Sequence, residues 1–206
     1  MRPAILVFTR APVEGEVKTR LAAKLGNREA LRVFREMGAA IVASLCPADR
    51  AWSVFAVATP DGRREAIADW LPGLDGVWDQ GSGDLGARLA RATHGAFQQG
   101  FSPVVLVGTD CPAANASQVA EALRRLDAHD AVLGPALDGG YWLLALRREL
   151  PAVFERIAWS TPTVAEATRM RLSKAEATWS ELGVWRDLDT YEDLLWWRKQ
   201  SGFDWL

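Results

Sequence analysis

The chain has 206 residues, of which 49% are apolar and 24% charged, and its formal net charge is −2. This is globular composition rather than disorder, and the charge gives no general attraction for nucleic acid or an anionic membrane; neither is an expected partner, and any anion site has to be local. The length suits one full α/β domain over residues 1–206 better than two small ones.

In chain order, Ala4-Ile5-Leu6-Val7-Phe8 is a short continuous apolar run that predicts a buried strand. Pro12 to Glu16 break the chain, and Leu21 and Leu25 then share one face of a helix that starts at Val17 and is stopped by Gly26. Residues 28–45 predict a longer amphipathic helix, 52–58 a second strand and 62–70 a helix. Asp75-Gly76-Val77-Trp78-Asp79 makes a poor strand. Leu85 to Gln99 reads as a helix ended by Gly100, and Pro103 to Gly108 as the most apolar strand. A helix over 117–126 and strands over 131–134 and 141–146 follow. Buried strands alternating with helices predict a parallel sheet in a layered α/β sandwich.

Ligands of such sheets bind beyond the carboxyl ends of strands, so the residues just after each apolar run carry the information. After the first run come Thr9-Arg10-Ala11-Pro12-Val13-Glu14-Gly15-Glu16-Val17-Lys18-Thr19-Arg20. Backbone N–H groups around Gly15, a helix start and the cations Arg10, Lys18 and Arg20 are ingredients for holding phosphates, although Lys18 and Arg20 read equally well as exposed helix residues. The first 36 residues carry eight Lys/Arg against four Glu, in keeping with a local anion site or simply a solvated helix face. The spacing is not that of a P-loop, because only Gly15 precedes Lys18-Thr19.

After the central strand, Gly108-Thr109-Asp110-Cys111-Pro112 places a carboxylate where it can meet Mg²⁺ or Mn²⁺, or merely cap a turn. Cys111 has no activating motif near it. After the next strand, Asp138-Gly139-Gly140-Tyr141-Trp142 is either a close-approach loop facing a ligand or a tight hairpin turn. Asp187-Leu188-Asp189-Thr190 precedes the last helix; Asp189 or Thr190 is its N-cap, which leaves Asp187 free. Trp159-Ser160-Thr161-Pro162 reads as a capped helix start whose hydroxyls could also meet an anionic group of an acceptor.

Cys46 and Cys111 cannot build a disulfide framework, and with only His94 and His129 there is no Cys/His cluster at zinc spacing. No secretory segment and no run near about 20 apolar residues is seen, so a cytoplasmic protein is expected. Seven tryptophans crowd the second half: Trp142, Trp159, Trp179, Trp185, Trp196, Trp197 and Trp205. Most are expected as core anchors, while one of the adjacent Trp196-Trp197 pair is expected at the surface, where it would mark a homodimer contact.

Taken together, Arg10…Gly15…Lys18-Thr19-Arg20-Leu21, Gly108-Thr109-Asp110-Cys111-Pro112, Asp138-Gly139-Gly140-Tyr141-Trp142, Trp159-Ser160-Thr161 and Asp187-Leu188-Asp189-Thr190 resemble the nucleotide-diphospho-sugar transferase superfamily with the GT-A fold. The chain is most similar to its small bacterial branch of radical-SAM/selenodomain-associated or arsenosugar-type glycosyltransferases, and it is related to molybdenum-cofactor and phospholactate guanylyltransferases. The resemblance spans nearly the whole chain and rests on the order of five motifs. It implies a three-layer sandwich on a mixed, mostly parallel sheet, and a Mg²⁺- or Mn²⁺-dependent transfer from a nucleotide donor to a small-molecule acceptor. The resemblance is read first as glycosyl transfer from a nucleotide-sugar, alternatively as nucleotidyl transfer with release of pyrophosphate, or as an inactive member that binds nucleotide. It further implies that Asp110 and one of Asp187 and Asp189 contact the metal, that Arg10 and Lys18 hold phosphates, and that Asp138 and Tyr141 lie on the acceptor side. Asp138 is the expected base if a sugar is transferred with inversion. Glycosyltransferases of this fold usually show Asp-x-Asp, whereas here Asp110 is followed by Cys111-Pro112, a form closer to nucleotidyltransferases.

Gly81-Ser82-Gly83-Asp84-Leu85-Gly86 is a literal G-x-G-x-x-G. A dinucleotide site needs it to follow a buried strand, and the phosphate-holding loop belongs after the first strand instead. The resemblance assigns this stretch to the wall beside the donor's base and ribose, with Gln80 as a base contact and Gly81, Leu85 and Gly86 near the nucleotide.

Overall fold

The structure is a computed structural model that describes residues 1–200. Trp205 therefore lies outside the described residues. The apolar runs form a seven-stranded sheet in the order β3-β2-β1-β4-β6-β5-β7. Its strands are β1 (Ala4–Arg10), β2 (Ser53–Thr59), β3 (Gly76–Asp79), β4 (Val104–Gly108), β5 (Ala131–Pro135), β6 (Tyr141–Leu146) and β7 (Trp179–Glu181). Only β6 runs against its neighbours, pairing antiparallel with β4 and β5. The other pairs are parallel, which gives the mixed, mostly parallel sheet.

Successive residues of each strand face opposite sides, so a strand that is apolar throughout needs cover on both faces. Ile5 and Val7 point into one core with α1 (Thr19–Leu25), α2 (Asn27–Leu45), α3 (Arg64–Trp70), α5 (Ala116–Arg125) and α7 (Tyr191–Trp197). Ala4 and Leu6 point into the other with α4 (Leu85–Gln98), α6 (Val164–Lys174) and the 3-10 turn Pro151–Phe154. Ile5, Leu6, Leu133, Leu143 and Leu144 are fully buried, and each such side chain contributes roughly 1.5–3 kcal/mol of transfer free energy. The result is three layers.

Three local expectations need correction. Residues 76–79 do form a strand, pairing in parallel with β2 from Phe55–Gly76 to Ala58–Asp79. Its short sequence hides this, because the stabilising contact is cross-strand: the Trp78 ring stacks on Phe55 at 4.6 Å. Trp159-Ser160-Thr161-Pro162 does not start the helix. Residues 159–163 form a turn, α6 begins at Val164, and its N-cap Thr163 makes no side-chain capping bond. The three-residue β7 was not expected; it is an edge strand held by parallel pairing to β5. Two other helices carry side-chain caps: Asp84 accepts from the Ala87 N–H and Asn115 from the Gln118 N–H.

Of the paired tryptophans, Trp197 is fully buried, while Trp196 is partly covered by the Arg186 guanidinium at 5.3 Å from its ring centre. Among the described residues no helix is long and apolar enough to cross a membrane.

Candidate functional site

β1 is flanked by β2 on one side and β4 on the other, both parallel to it. Crossovers leaving β1 and β4 therefore separate at their carboxyl ends and leave a crevice there, the usual ligand position in an open α/β sheet. Thr9 and Thr109 close its floor, with their hydroxyls 3.1 Å apart and buried. Just beyond, the chain after β1 turns through Gly15, whose φ of +80° suits a residue without a Cβ. It ends at Lys18, which takes a left-handed conformation before α1.

That turn drives the Lys18 side chain inward. The side chain is only 4% exposed, and its Nζ donates to Asp110 Oδ1 at 2.5 Å and to Asp189 Oδ1 at 2.8 Å. Burial disfavours its charge, but Asp110 and Asp189 outweigh burial and hold the ammonium above the ordinary lysine range. The reading of Lys18 as an exposed helix residue is thus corrected: its conformation aims it at the carboxylates. Arg20 remains largely exposed, 3.9 Å from Asp189 Oδ2. Arg10 donates to the Glu16 carbonyl at 3.0 Å, which ties it to the same loop.

The C-terminal carboxylates arrive by backbone pairing. Trp185 bridges to Ala136 beyond β5, the Leu188 N–H donates to the Asp110 carbonyl at 2.8 Å, and α7 then starts at Thr190. Thr190 and Asp193 form a reciprocal capping box, so Thr190 is the cap and Asp187 and Asp189 are both released from that role. Asp187 Oδ1 is buried with no hydrogen-bond partner among the described residues. Burial, reinforced by Asp110, Asp138 and Asp189 and only partly offset by Lys18, pushes its carboxyl up to about 7.

Two clefts among the described residues meet at this cluster. One, of about 390 Å³, is lined by Arg10, Lys18, Arg20, Gln80 and Thr109. The other, of about 540 Å³, is lined by Leu89, Asp138, Gly140, Tyr141, Trp159 and Asp187. Phe8, Leu85, Asp110 and Asp189 line both. The first chamber carries the three lining cations beside Glu16, Asp110 and Asp189. The second has four aspartates, no lining Lys, Arg or His, and aromatic side chains along its wall.

The structure thus brings together most residues singled out in the sequence, and leaves some aside. Gly15, Gly81, Gly86 and Gly139 line neither chamber. Gly86 is instead a packing residue, since a Cβ there would lie 2.6 Å from both the Phe154 carbonyl and the Trp159 ring nitrogen. Gly139 belongs to the turn between β5 and β6, and a Cβ there would strike the Pro162 carbonyl at 1.9 Å. Its own carbonyl accepts from the Ala165 N–H at 2.8 Å. The hairpin reading of Asp138-Gly139-Gly140 is therefore the observed one, with Asp138 Oδ1 accepting from the Gly140 N–H. Gln80 is buried and donates to the Thr9 and Val57 carbonyls at 3.1 and 3.0 Å, while its oxygen accepts from Arg88. Cys111 is buried, and that burial raises its thiol above its ordinary range, which leaves it inert. Phe8, Thr9 and Leu89 were not anticipated; Thr9 alone carried a signal, as the first polar residue after the first apolar run.

Among the described residues no three His, Cys, Asp or Glu side chains gather as a ready metal-ligand set. The donors present nonetheless fit Mg²⁺ or Mn²⁺, which need only one or two protein carboxylates and complete their shells with phosphate oxygens and water. Asp110 and Asp189 are hard oxygen donors, and the buried, unpartnered Asp187 oxygen is the kind of group that a cation satisfies.

Residues 42–161, more than half of the chain, match the family described as "Uncharacterized protein conserved in bacteria (DUF2064)". The chain belongs to the DUF2064 family. A solved structure of a candidate nucleotide-diphospho-sugar transferase from Desulfovibrio desulfuricans G20 is 33% identical to it, with a TM-score of 0.89 over 98% of this chain and 89% of that one. This chain thus has the nucleotide-diphospho-sugar transferase fold. The same fold, at 11% identity and a TM-score of 0.58, occurs in CMP:2-keto-3-deoxy-manno-octonic acid synthetase complexed with CTP, over 95% of this chain and 96% of that one. It occurs again, at 17% identity and a TM-score of 0.53, in Rv0371c of Mycobacterium tuberculosis H37Rv in complex with manganese, over 95% and 97% of the two chains. No curated protein matches the sequence.

Proposed function

We infer that this chain is a nucleotide-dependent transferase, and we propose that it is a Mg²⁺- or Mn²⁺-dependent glycosyltransferase taking a nucleotide-sugar donor. The observation that carries the reading is the meeting of a chamber that holds Arg10, Lys18 and Arg20 and an aromatic one at a shared pair of carboxylates, Asp110 and Asp189. A donor's phosphates fit the first chamber, where Arg10 and Arg20 supply charge from the rim and Lys18 from the floor. Asp110 with Asp189 or Asp187 would hold the cation, which when bound neutralises charge on the leaving phosphates.

In glycosyl transfer an acceptor hydroxyl oxygen bonds to the anomeric carbon as the bond from that carbon to the phosphate oxygen breaks. The acceptor proton passes to a carboxylate, for which Asp138, exposed on the acceptor side, is the proposed base. The nucleoside diphosphate leaves into the first chamber, and Lys18 is placed to share its charge. Gln80, fixed between the ends of β1 and β2, is proposed to support the wall beside the base and ribose. The proposed setting is the cytoplasm, where thiols stay reduced; Cys46 and Cys111 are both free.

A second reading, nucleotidyl transfer with release of pyrophosphate, is favoured by the Asp110-Cys111-Pro112 form of the metal motif. The likeness in fold to a CTP-bound synthetase supports the same reading. Thermal shift in the presence of Mn²⁺ separates the two. Stabilisation by UDP- or GDP-sugars supports glycosyl transfer, whereas stabilisation by CTP or GTP together with pyrophosphate release supports the second reading. No shift with any nucleotide overturns both.

A further inference from the structure

The acceptor has to enter the 540 Å³ chamber, and that chamber's chemistry is one-sided. Four aspartates line it, Asp110, Asp138, Asp187 and Asp189, and among the described residues no Lys, Arg or His does. Lys18 already pairs with Asp110 and Asp189 from the neighbouring chamber, and a bound cation would draw on the same carboxylates; what an anionic acceptor still meets is Asp138 and Asp187, with no lining Lys, Arg or His to offset them. Several polar groups in the first turn of α6 and the segment before it are already engaged, although the Ser160 hydroxyl, which lines the chamber, has no partner among the described residues. The Ala165 N–H donates to the Gly139 carbonyl at 2.8 Å, and the Val164 N–H donates to the Thr161 carbonyl at 3.4 Å. The Thr161 hydroxyl donates to the Ala158 carbonyl at 2.7 Å. The expectation that the hydroxyls of residues 160–161 meet an acceptor's anionic group therefore finds no free Thr161 donor.

The remaining wall is apolar and aromatic. Trp159 stands edge to face with Tyr141, ring centres 6.4 Å apart, and Leu85, Leu89 and Leu106 continue the surface. The Tyr141 hydroxyl is buried and has no hydrogen-bond partner among the described residues. A buried hydroxyl without a partner is costly unless a ligand or water completes it. An aromatic wall with a few polar groups at one end suits a molecule with one apolar face and hydroxyls elsewhere.

Resting on the two-chamber reading above, we propose that the acceptor is an uncharged hydroxyl compound with an apolar face, such as a glycoside or cyclic polyol, and that the chamber rejects phosphorylated or carboxylated acceptors. The discrimination comes from like charge on Asp138 and Asp187 and from the lack of a Lys, Arg or His among the residues lining the chamber.

The test uses the whole chain loaded with Mn²⁺ and whichever nucleotide stabilises it most, so that the first chamber is filled. Phenyl β-glucoside and phenyl phosphate, which share the aromatic group and differ in charge, are then titrated calorimetrically. The glucoside is expected to bind at least tenfold more tightly than the phosphate. Ser160→Arg, on the exposed rim of the chamber, is expected to narrow that gap at least threefold by adding the missing cation. Equal or tighter binding of phenyl phosphate, binding of neither probe, or a gap unchanged in the Ser160→Arg variant overturns the proposal. If no nucleotide binds, the transferase reading itself falls and this inference with it; if nucleotide binds and the phosphate probe wins, only the acceptor class is overturned.

Discussion

Asp130 and Asp187 sit at opposite ends of the same sheet and show what each end is built for. Asp130 precedes β5 at the end where β1 and β4 begin; Asp187 lies in the crevice where those strands finish. Every acceptor site of Asp130 is in use. Its Oδ1 takes Arg147 at 2.7 Å and Arg148 at 3.2 Å, and its Oδ2 takes the Thr178 N–H at 3.0 Å and the Thr178 hydroxyl at 3.2 Å. Arg147 above all, with Thr178, holds that carboxyl well below the ordinary range despite burial. Asp187 is the reverse case, buried beside three other aspartates with one oxygen unpartnered and its carboxyl pushed up to about 7. A saturated carboxylate fastens the sheet. An unsaturated one keeps free energy available for a ligand.

The comparison is broken most sharply by changing each end in turn. Asp110→Asn is expected to lower transferase turnover by at least about a hundredfold and to weaken Mn²⁺ binding, with a smaller loss of stability because the buried Lys18 keeps Asp189 as a partner. Titration of Mn²⁺ against the variant checks this, and unchanged metal affinity sinks the proposed metal site. Asp130→Ala is expected to do the opposite, costing about 2–3 kcal/mol in urea unfolding while nucleotide affinity stays the same. It strips the partner from Arg147 and from Thr178.

The two ends also respond to pH with opposite signs. Asp187 titrates near ~3.9 when unfolded and at about 7 when folded, so across that window the native state binds the extra proton. Its contribution makes the metal-free protein less stable at pH 8 than at pH 5.5. Asp187→Asn flattens that slope, and Mn²⁺ raises the melting temperature more at pH 8, where the carboxylate is ionised. Asp130 is depressed, so its stabilisation is full above the ordinary carboxylate range and is lost as pH falls through its lower folded value. Melting temperatures of wild type and both variants between pH 3 and pH 8 display the two slopes. The smallest expected effect is that of Gln80→Ala, about 1–2 kcal/mol in stability with a modest loss of nucleotide affinity, because its amide closes two backbone carbonyls beside the donor chamber.

The sheet's main strands were legible because burial on both faces demands apolar residues without interruption. Ala4 to Phe8, 104 to 107, and 141 to 146 show this directly. β3 and β7 were not, since short edge strands depend on neighbours distant in sequence: Phe55 for Trp78, and β5 for Trp179–Glu181. The site was legible as a set of residue types at strand ends. Asp110, Asp138, Asp187, Asp189, Lys18 and Arg10 all stand where an α/β sheet presents its ligands. The roles of the glycines were not, because only the folded chain places Pro162 against Gly139 and Trp159 against Gly86.

By itself the sequence determined the alternation of strands and helices, the polar residues at the strand ends, and a cap at Asp189 or Thr190 that leaves Asp187 free. These follow from local periodicity and from hydrogen bonds within a few residues. Only the tertiary structure decided that Lys18 turns inward to join Asp110 and Asp189 across 92 and 171 residues of chain. It also decided that Asp187 is left unpaired and that the cations fall on one side of the cleft and the aromatics on the other. The physical reason is range. Charge pairing and desolvation depend on distances in space, and those are set when the carboxyl ends of β1 and β4 meet the segment before α7.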